Sequence, residues 1–300
     1  MVIEDLPERL KSYEIPGRVS VMEGNGELPM LELTADQSSA EVYLHGAHIT
    51  AFAKKGEPPL LFLSQCSRFE KQHPIRGGIP IVFPWFGVRE GMPAHGFARI
   101  EEWELHEVST LPEGGVTLRL GLPDNPMRAT LPPFMANYVV TITDRLSLEV
   151  IITNASADQP FAFEICLHTY LAVADISDVT VVGLEGAEYL DAVDNMTRHR
   201  DTAPQLRVCD EMDRLYYNTE ARVDVIDPGF GRRIRVEKAG AASTVIWNPW
   251  VQKAQLMPDF GTEEYRSMIC VESGNVGPNR LVLPPGKTSV MRVTLSTHPL

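Results

Sequence analysis

Cysteine is scarce in this chain, and its cysteines are widely spaced. Cys66, Cys166, Cys209 and Cys270 are the four cysteines among 300 residues, and no CxxC pair occurs. A disulfide framework and a zinc site of clustered cysteines are therefore not expected. Two of the four lie in the apolar runs FEICLH and SMICVE, which predicts buried, reduced thiols.

Long apolar runs are missing as well. No segment reaches the apolar length that a membrane-spanning helix needs. The N-terminal sequence MVIEDLPERLKSYEI has acidic residues early and no apolar core, so a signal peptide is not expected. These absences predict a cytoplasmic protein that has no membrane partner.

Positive charge is in the minority. The 27 lysines and arginines are outnumbered by 40 aspartates and glutamates, which gives a formal net charge of −13. This balance argues against nucleic acid as a partner, because broad nucleic-acid binding needs a basic face. A local cluster of cations can still bind a small phosphorylated ligand. The motifs GxxxxGK(S/T), GxGxxG and GxSxG, which mark phosphate loops, dinucleotide sites and serine hydrolases, are absent.

Helical periodicity is also scarce, and residues 4–12 and 259–266 are the two short helical candidates. Most of the chain consists of short segments rich in Val, Ile, Thr and aromatic residues, separated by Gly, Pro, Asn and Asp. The segment TITDRLSLEVIITN predicts a hairpin with the DR pair at its turn. The proline-rich residues 122–133 predict a surface loop. The expected fold class is all-β, a large β-sandwich of two sheets.

Neither a linker composition nor a repeat period divides the chain. We therefore expect an N-terminal extension over residues 1–25 and a single β-sandwich domain over residues 26–300. A monomer is expected.

The segment IRGGIPIVFPWFGVREGMPAHGFAR, residues 75–99, is the most informative part of the sequence. Its glycines and prolines forbid a long helix, so we expect a rigid strand and loop that holds Arg76, His95 and Arg99 in fixed places. Cationic donors on a rigid element suit a small anionic ligand. Ordinary surface ion pairs are an equally good interpretation of these arginines from spacing alone.

A second candidate segment is FEICLHTYLAV. In an extended strand its residues Glu164, Cys166 and His168 lie on one face. Histidine is the most frequent general acid or base near neutral pH. The alternative is a histidine held by a structural hydrogen bond.

The third candidate segment is MICVESGNVGP. Met268, Cys270 and Glu272 share a face if the strand is regular. A carboxylate at the end of an apolar strand is expected to have a raised pKa, which suits a general base. The alternative is a glutamate that stabilises the following turn.

Two further segments suggest weaker candidates. His45 and His48 of HGAH face opposite ways in a regular strand, and no third ligand stands at metal spacing, so we expect no metal site. The segment WNPW is expected to form a loop at the rim of a site, with Lys253 after it as a weak candidate for a phosphate ligand.

Six motifs appear in one order between about Leu31 and Leu295: RGGIPIVFPWFG, HGFAR, HTYLAVADI, GLEGAEYLD, WNPW and VESGNV. In these motifs the chain resembles the D-hexose-6-phosphate mutarotases, also called glucose-6-phosphate 1-epimerases, a branch of the aldose 1-epimerase superfamily. The resemblance implies a β-sandwich of the galactose-mutarotase type. It also implies interconversion of the α and β anomers of hexose 6-phosphates, with glucose 6-phosphate favoured and with neither a metal nor an organic cofactor.

The same resemblance implies roles for individual residues. It makes His168 the general acid and Glu272 the general base. It implies substrate-binding roles for Arg76, His95, Arg99 and Asp191. The sequence departs from the family at Ala94, where glutamine is frequent, and this difference concerns the choice of sugar rather than the reaction.

Two other functions remain compatible with the sequence. A free-sugar aldose 1-epimerase shares the acid and the base but does not need paired arginines. A non-catalytic carbohydrate-binding β-sandwich would bind the sugar without accelerating anomer exchange.

Overall fold

The computed structural model describes residues 8–300, and strands dominate them. Two eight-stranded sheets form the body of the molecule, so the predicted all-β sandwich is confirmed. In the part of the chain that the structure describes, no helix is both long and apolar enough to cross a membrane.

The helices are α1 (Glu8–Lys11) and α2 (Trp250–Leu256). Short 3-10 turns lie at Asn25–Glu27, Ala98–Ile100, Pro126–Thr130, Glu264–Ser267 and Gly277–Asn279. The strands, in chain order, are β1 (Val19–Glu23), β2 (Pro29–Thr34), β3 (Ser38–Tyr43), β4 (His48–Lys54), β5 (Ile81–Val82), β6 (Glu104–Thr110), β7 (Val116–Gly121), β8 (Phe134–Ile142), β9 (Leu146–Asn154), β10 (Phe161–Phe163), β11 (Ile165–Leu167), β12 (Tyr170–Ala172), β13 (Thr180–Val182), β14 (Glu188–Asp191), β15 (Thr197–Arg200), β16 (Met212–Tyr216), β17 (Val223–Asp227), β18 (Arg232–Ala239), β19 (Ser243–Asn248), β20 (Met268–Asn275), β21 (Leu281–Leu283) and β22 (Thr288–Pro299).

The strands form two large antiparallel sheets and two small ones. Sheet 1 has the order β15-β14-β16-β19-β20-β11-β5, with β12 paired to β20. Sheet 2 has the order β13-β17-β18-β22-β9-β8-β7-β6. Strands β1 to β4 form a meander, and β10 pairs with β21.

The core lies between the two large sheets. Buried and less buried residues alternate along β8 and β9, as expected for strands that turn one face to a core. Phe83, which follows β5 of sheet 1, packs edge-on against Phe134 of sheet 2 with ring centroids 5.3 Å apart. Burying a phenylalanine contributes about 1.5–3 kcal/mol, so such contacts hold the sheets together.

The local predictions agree with the structure in part. β8 and β9 form the predicted hairpin, and residues 122–133 form a partly exposed loop with one 3-10 turn. Helix α1 falls inside the predicted 4–12, of which residues 4–7 lie outside the described chain. The candidate at 259–266 is the 3-10 turn Glu264–Ser267.

The prediction of a rim loop at WNPW is wrong, because Trp247 and Asn248 end the buried strand β19 and α2 begins at Trp250. Pro249 already has helical dihedral angles, and the side chain of Asn248 accepts a hydrogen bond from the backbone N–H of Trp250 at 2.9 Å. At seven residues α2 is too short to show a helical period in the sequence.

The expected boundary between residues 25 and 26 falls in the 3-10 turn that links β1 to β2. β1 pairs with β2 along its whole length, from Val19 opposite Leu33 to Glu23 opposite Pro29. Residues 19–23 of the expected extension are therefore part of a sheet. The single-domain division over 26–300 stays a prediction.

Candidate active site

A cavity of about 620 Å³ lies over one face of sheet 1. The strand register determines its floor. Leu215 of β16 is opposite Val245 of β19, and Val245 is opposite Glu272 of β20; all three line the cavity. In the next row, Asp213 is opposite Trp247, and both line it as well. Alternate residues of neighbouring strands thus converge on one space.

His168 and Glu272 meet in this cavity. The Nε2 atom of His168 lies 3.2 Å from Oε1 of Glu272, and both side chains are buried. The expected single strand over FEICLHTYLAV is broken into β10, β11 and β12, with His168 just after β11. The predicted common face persists, because Glu164 and His168 line the cavity and Cys166 contacts Glu272.

Aromatic rings surround the imidazole of His168. Its ring stacks on Tyr170 with centroids 4.8 Å apart and an interplanar angle of 10°. His95 and Trp247 approach it edge-on, each at 6.0 Å. Its Nδ1 atom is buried and finds no hydrogen-bonding partner within residues 8–300. On its Nδ1 side the ring is therefore held by packing rather than by a hydrogen bond.

Burial acts on His168 and Glu272 in opposite directions. It lowers the pKa of His168 well below its usual value, and the neighbouring His95 adds to this effect. It raises the pKa of Glu272 well above its usual value, and the negative charge of Asp213 adds to this effect. Burial thus favours the uncharged forms, a neutral imidazole and a protonated carboxyl, so that the pair carries one titratable proton.

Two thiols flank Glu272. Cys166 donates to Oε2 of Glu272 at 3.5 Å, and Cys270 stands two residues before Glu272 on the same face of β20. Both are free and buried, as predicted, and burial raises the pKa of each thiol well above its usual value. Gly274 lies opposite Cys166, where an added Cβ would come within 2.9 Å of the Cβ of Cys166.

The two candidate arginines have different surroundings. Arg76 lines the cavity, but its Nε and one terminal nitrogen bind Oδ2 of Asp259 at 3.2 and 3.1 Å, and the other donates to the hydroxyl of Tyr170 at 3.0 Å. Gly78, two residues on, has φ +59°, and an added Cβ would lie 2.2 Å from the carbonyl oxygen of Ile49. A glycine is required there, and it supports the turn that carries Arg76.

Arg99 is not among the described residues that line the cavity, but it keeps unused donors. One terminal nitrogen donates to the carbonyl of Ala94 at 2.8 Å, while its buried Nε has no partner in the described part of the chain. Burial, opposed in part by Tyr170 and reinforced by the positive charge of Arg76, lowers the pKa of Arg99 to about 10, so the guanidinium remains charged at neutral pH.

His95 is held in an unusual conformation beside the cavity. Its φ is +63°, its backbone N–H donates to the carbonyl of Gly87 at 2.7 Å, and its Nδ1 accepts from the N–H of Gly87 at 3.3 Å. Burial, followed by the charges of Arg99 and Arg76, lowers the pKa of His95 to about 3. This imidazole is therefore neutral over the physiological range.

Asp191 and Asp213 are placed differently. The carboxylate of Asp191 accepts hydrogen bonds from the N–H groups of Val193 and Asp194, and Asp191 is not among the described residues that line the cavity. Asp213 does line it, and burial raises the pKa of Asp213 to about 6. Sequence reasoning missed Asp213, although an acid inside the strand MDRLY was a usable signal.

Lys253 also lines the cavity and pairs with Glu211 at 2.7 Å.

The HGAH histidines are buried elsewhere. Nε2 of His45 contacts the carbonyl of His73 at 2.7 Å, and Nε2 of His48 contacts that of Gly77 at 2.8 Å. Neither belongs to a group of three potential metal ligands within residues 8–300. Each ring therefore anchors a backbone segment.

Comparison with known proteins shows the family to which this chain belongs. The sequence model of the family described as Aldose 1-epimerase matches residues 29–296. A relative from Cenchrus ciliaris, named "Putative glucose-6-phosphate 1-epimerase", is 34% identical over 269 residues, which cover 87% of this chain and 82% of the relative. The chain belongs to the aldose 1-epimerase family, and the resemblance inferred from its motifs is confirmed.

Solved structures agree with this assignment. A crystal structure described as a "putative mutarotase (YeaD)" from Salmonella typhimurium has a TM-score of 0.88 and 26% identity, and covers 98% of this chain and 99% of that one. A "galactose mutarotase-like protein" from Clostridium acetobutylicum has a TM-score of 0.72 at 13% identity, with 94% and 98% covered, and shows the fold alone. The expected galactose-mutarotase type of β-sandwich is confirmed.

Proposed function

We propose that this chain interconverts the α and β anomers of hexose 6-phosphates, with glucose 6-phosphate favoured, by acid–base opening and closing of the sugar ring. The observation that carries the proposal is the 3.2 Å contact between His168 and Glu272 inside a cavity large enough for a hexose. Relatives named for glucose-6-phosphate 1-epimerase activity, at 34% and 31% identity, support the substrate class.

The reaction needs one proton removed and one delivered. Ionised Glu272 takes the proton of the C1 hydroxyl, while His168, as imidazolium, gives a proton to the ring oxygen O5. The C1–O5 bond breaks, C1 becomes an aldehyde carbon, and rotation about C1–C2 exposes its other face. On closure His168 takes back its proton and Glu272 returns one to O1. No proton is gained or lost overall, and each group contributes about 10²–10⁴-fold.

The single proton of the His168–Glu272 pair suits this exchange. The reactive form of the pair is imidazolium with carboxylate. Burial favours the other form, neutral imidazole with protonated carboxyl. A hexose that enters between the two side chains inserts its O1 hydroxyl and O5 into their direct contact. The bound hemiacetal then connects the same two proton carriers.

The arginines are proposed to bind the phosphate. In a hexose 6-phosphate, C5 carries both O5 and C6, so a phosphate on C6 stays close to the residue that protonates O5. The charges of Arg76 and Arg99 both lower the pKa of His168, and Arg76 lines the cavity, which supports a position of the two arginines near the O5 end of the sugar. Arg99 has unused donors, whereas Arg76 is partly neutralised by Asp259. We therefore assign the larger share of phosphate binding to Arg99.

The other side chains are proposed to hold the sugar. Neutral His95 beside the ring of His168 suits a hydrogen bond to a hydroxyl at the reacting end. The resemblance assigns sugar binding to Asp191, and the cavity adds Asp213 as a second candidate. Phe86 and Trp247 offer apolar ring faces to the sugar. The monomeric state and the cytoplasmic location stay predictions.

Anomer exchange measured by NMR tests the function. We expect the chain to accelerate exchange of glucose 6-phosphate above the buffer rate, with a higher kcat/KM than for glucose. Equal acceleration of both sugars would favour the free-sugar epimerase. Binding of glucose 6-phosphate without acceleration would favour the non-catalytic carbohydrate-binding protein. Heat-inactivated protein supplies the control for buffer catalysis.

A further inference from the structure

We propose that His168, Cys270 and Glu272 also form a binding site for a thiophilic divalent cation such as Zn²⁺, and that the bound cation inhibits the enzyme reversibly. The binding part of this inference concerns the three side chains alone. The inhibition rests on the proposed function, because His168 and Glu272 are also its acid and base.

The geometry of the three residues carries the inference. One potential ligand atom from each residue lies within 4.8 Å of the other two, and all three residues are buried. Zinc ligand distances of about 2.0–2.2 Å for nitrogen and oxygen place two ligands of a tetrahedral site about 3.4 Å apart. The distance from Nε2 of His168 to Oε1 of Glu272 is 3.2 Å, already close to that separation.

The thiol needs only a small adjustment. With Zn–S at about 2.3 Å, the sulfur of a tetrahedral site lies about 3.6 Å from a ligand nitrogen. Sγ of Cys270 therefore has to approach by roughly 1.2 Å at most. Cys270 and Glu272 are two residues apart on β20 and project to the same face, so the strand itself sets their spacing.

The kind of ligand selects the kind of metal. Imidazole nitrogen, thiolate sulfur and carboxylate oxygen suit Zn²⁺, whereas Mg²⁺ and Ca²⁺ prefer oxygen ligands alone. The cavity lined by His168 and Glu272 gives the ion a path inward and room for water at a fourth position. Three protein ligands with one open position is the usual arrangement of an accessible zinc site.

Charge and proton balance are satisfied. On binding, the S–H bond of Cys270 breaks heterolytically and its proton goes to solvent, as does the single proton of the His168–Glu272 pair. The imidazole binds as a neutral ligand. One Zn²⁺ with one thiolate and one carboxylate has no net charge, so the nearby guanidinium groups of Arg76 and Arg99 do not repel the complex. No group is oxidised or reduced.

The site suits a reversible inhibitor better than a resident metal. Tight zinc sites fix the second nitrogen of a ligating histidine by a hydrogen bond, and loss of that bond typically costs 10–100-fold in affinity. Nδ1 of His168 has no such partner among the described residues. The bound ion also occupies the lone pairs that the proposed reaction uses to move protons, so binding and catalysis exclude each other.

The test begins with Co²⁺, whose thiolate complexes absorb in the near ultraviolet. Metal-free protein is titrated with Co²⁺, and Zn²⁺ is then added in competition. We expect a thiolate-to-cobalt band that reaches its limit near one equivalent and is abolished by Zn²⁺. Cys270→Ser and Cys270→Ala should both lose the band. The matched control is the double variant Cys66→Ser/Cys209→Ser, which removes the two exposed thiols and should keep it.

Inhibition is measured in parallel by anomer exchange of glucose 6-phosphate, with EDTA to restore activity. Each variant is compared with its own rate in EDTA. We expect Zn²⁺ to inhibit Cys270→Ser at least 10-fold more weakly than the wild type and the control variant.

Three results would overturn the site: no thiolate band in the wild type, a band that persists in both Cys270 variants, or a band lost in the control variant. A Cys270-dependent band in a protein that does not catalyse exchange would retain the site and refute the proposed function. Catalysis of anomer exchange without that band would refute the metal site and leave the proposed function intact.

Discussion

The thiol of Cys166 donates to Oε2 of Glu272 at 3.5 Å, while Oε1 of the same carboxylate faces His168 at 3.2 Å. Both oxygens of a fully buried carboxylate therefore have a partner, one on the strand beside it and one in the cavity. Because the thiol donates a hydrogen bond to the carboxylate, it stabilises the ionised form that the proposed base needs. It thereby opposes the rise in the pKa of Glu272.

Replacement of Cys166 by alanine should shift the pH dependence of the enzyme. Without the thiol donor the pKa of Glu272 rises further, so the pH profile of kcat/KM should move to higher pH. Cys166→Ser retains a donor and should leave the profile near its wild-type position. Full profiles of the three proteins check this. A rate loss without any shift in Cys166→Ala would assign the thiol a packing role only.

Replacement of Arg99 by alanine should weaken binding of the phosphorylated sugar selectively. A hydrogen bond to a charged group is worth about 1.5–3 kcal/mol, so KM for glucose 6-phosphate should rise about 10- to 150-fold, with little change for glucose. Arg89→Ala is the matched control, since Arg89 is exposed in the same segment and lies over the ring of Trp85. An equal rise in KM for both sugars in Arg99→Ala would show that Arg99 does not bind the phosphate.

Replacement of Tyr138 by phenylalanine should stabilise the fold. Its hydroxyl is buried in the core and has no hydrogen-bonding partner in residues 8–300. Removing an unsatisfied buried group should raise the free energy of unfolding by about 1 kcal/mol. Tyr216→Phe is the control, because the equally buried hydroxyl of Tyr216 donates to Asp201 at 2.8 Å and its loss should lower stability by about 1 kcal/mol. Urea unfolding measures both, and a destabilised Tyr138→Phe would contradict the expectation.

His48 should make the fold sensitive to acid. Burial lowers the pKa of His48 to about 3, whereas the pKa of a histidine in the unfolded chain is about 6.5. Between these two pKa values His48 binds a proton in the unfolded chain but not in the folded one. The free energy of unfolding therefore falls as the pH drops below 6.5. The contribution is about 1.4 kcal/mol per pH unit.

The comparison variant is His48→Gln, which keeps a donor for the carbonyl of Gly77 and does not titrate. Between pH 6.5 and pH 5 it should lose about 2 kcal/mol less stability than the wild type. His95 and His168, whose pKa values are also lowered, act with the same sign in both proteins and cancel in the comparison. Identical losses in the two proteins would remove His48 as a cause.

The features that could be predicted from the sequence are those that depend on residues close together in the chain. Alternation placed His168 on the side shared with Glu164, and it placed Glu272 on the face of β20 that lines the cavity, while turn residues marked the β8–β9 hairpin. It did not reveal that the two side chains touch, because that contact depends on the pairing of β11 with β20, far apart in the chain. The register Leu215–Val245–Glu272, which brings β16 to the cavity, is equally non-local, so Asp213 was missed.

The arginines show the same limit. Either a ligand or an ordinary ion pair was compatible with the spacing of Arg76 and Arg99. The structure gives Arg76 an ion pair with Asp259, a partner 183 residues away, and leaves donors of Arg99 unused. The segment that contains both arginines does not indicate which of them has a distant partner.

The most direct test of the account is the rate of α–β exchange of glucose 6-phosphate, measured by NMR for the wild type, Glu272→Gln and His168→Asn. Near-ultraviolet circular dichroism should confirm that both variants keep the native packing. Each variant should lose at least about a hundredfold in turnover, because each lacks one of the two proton carriers. A well-folded variant that exchanges anomers within a few-fold of the wild-type rate would contradict the assignment of the His168–Glu272 pair.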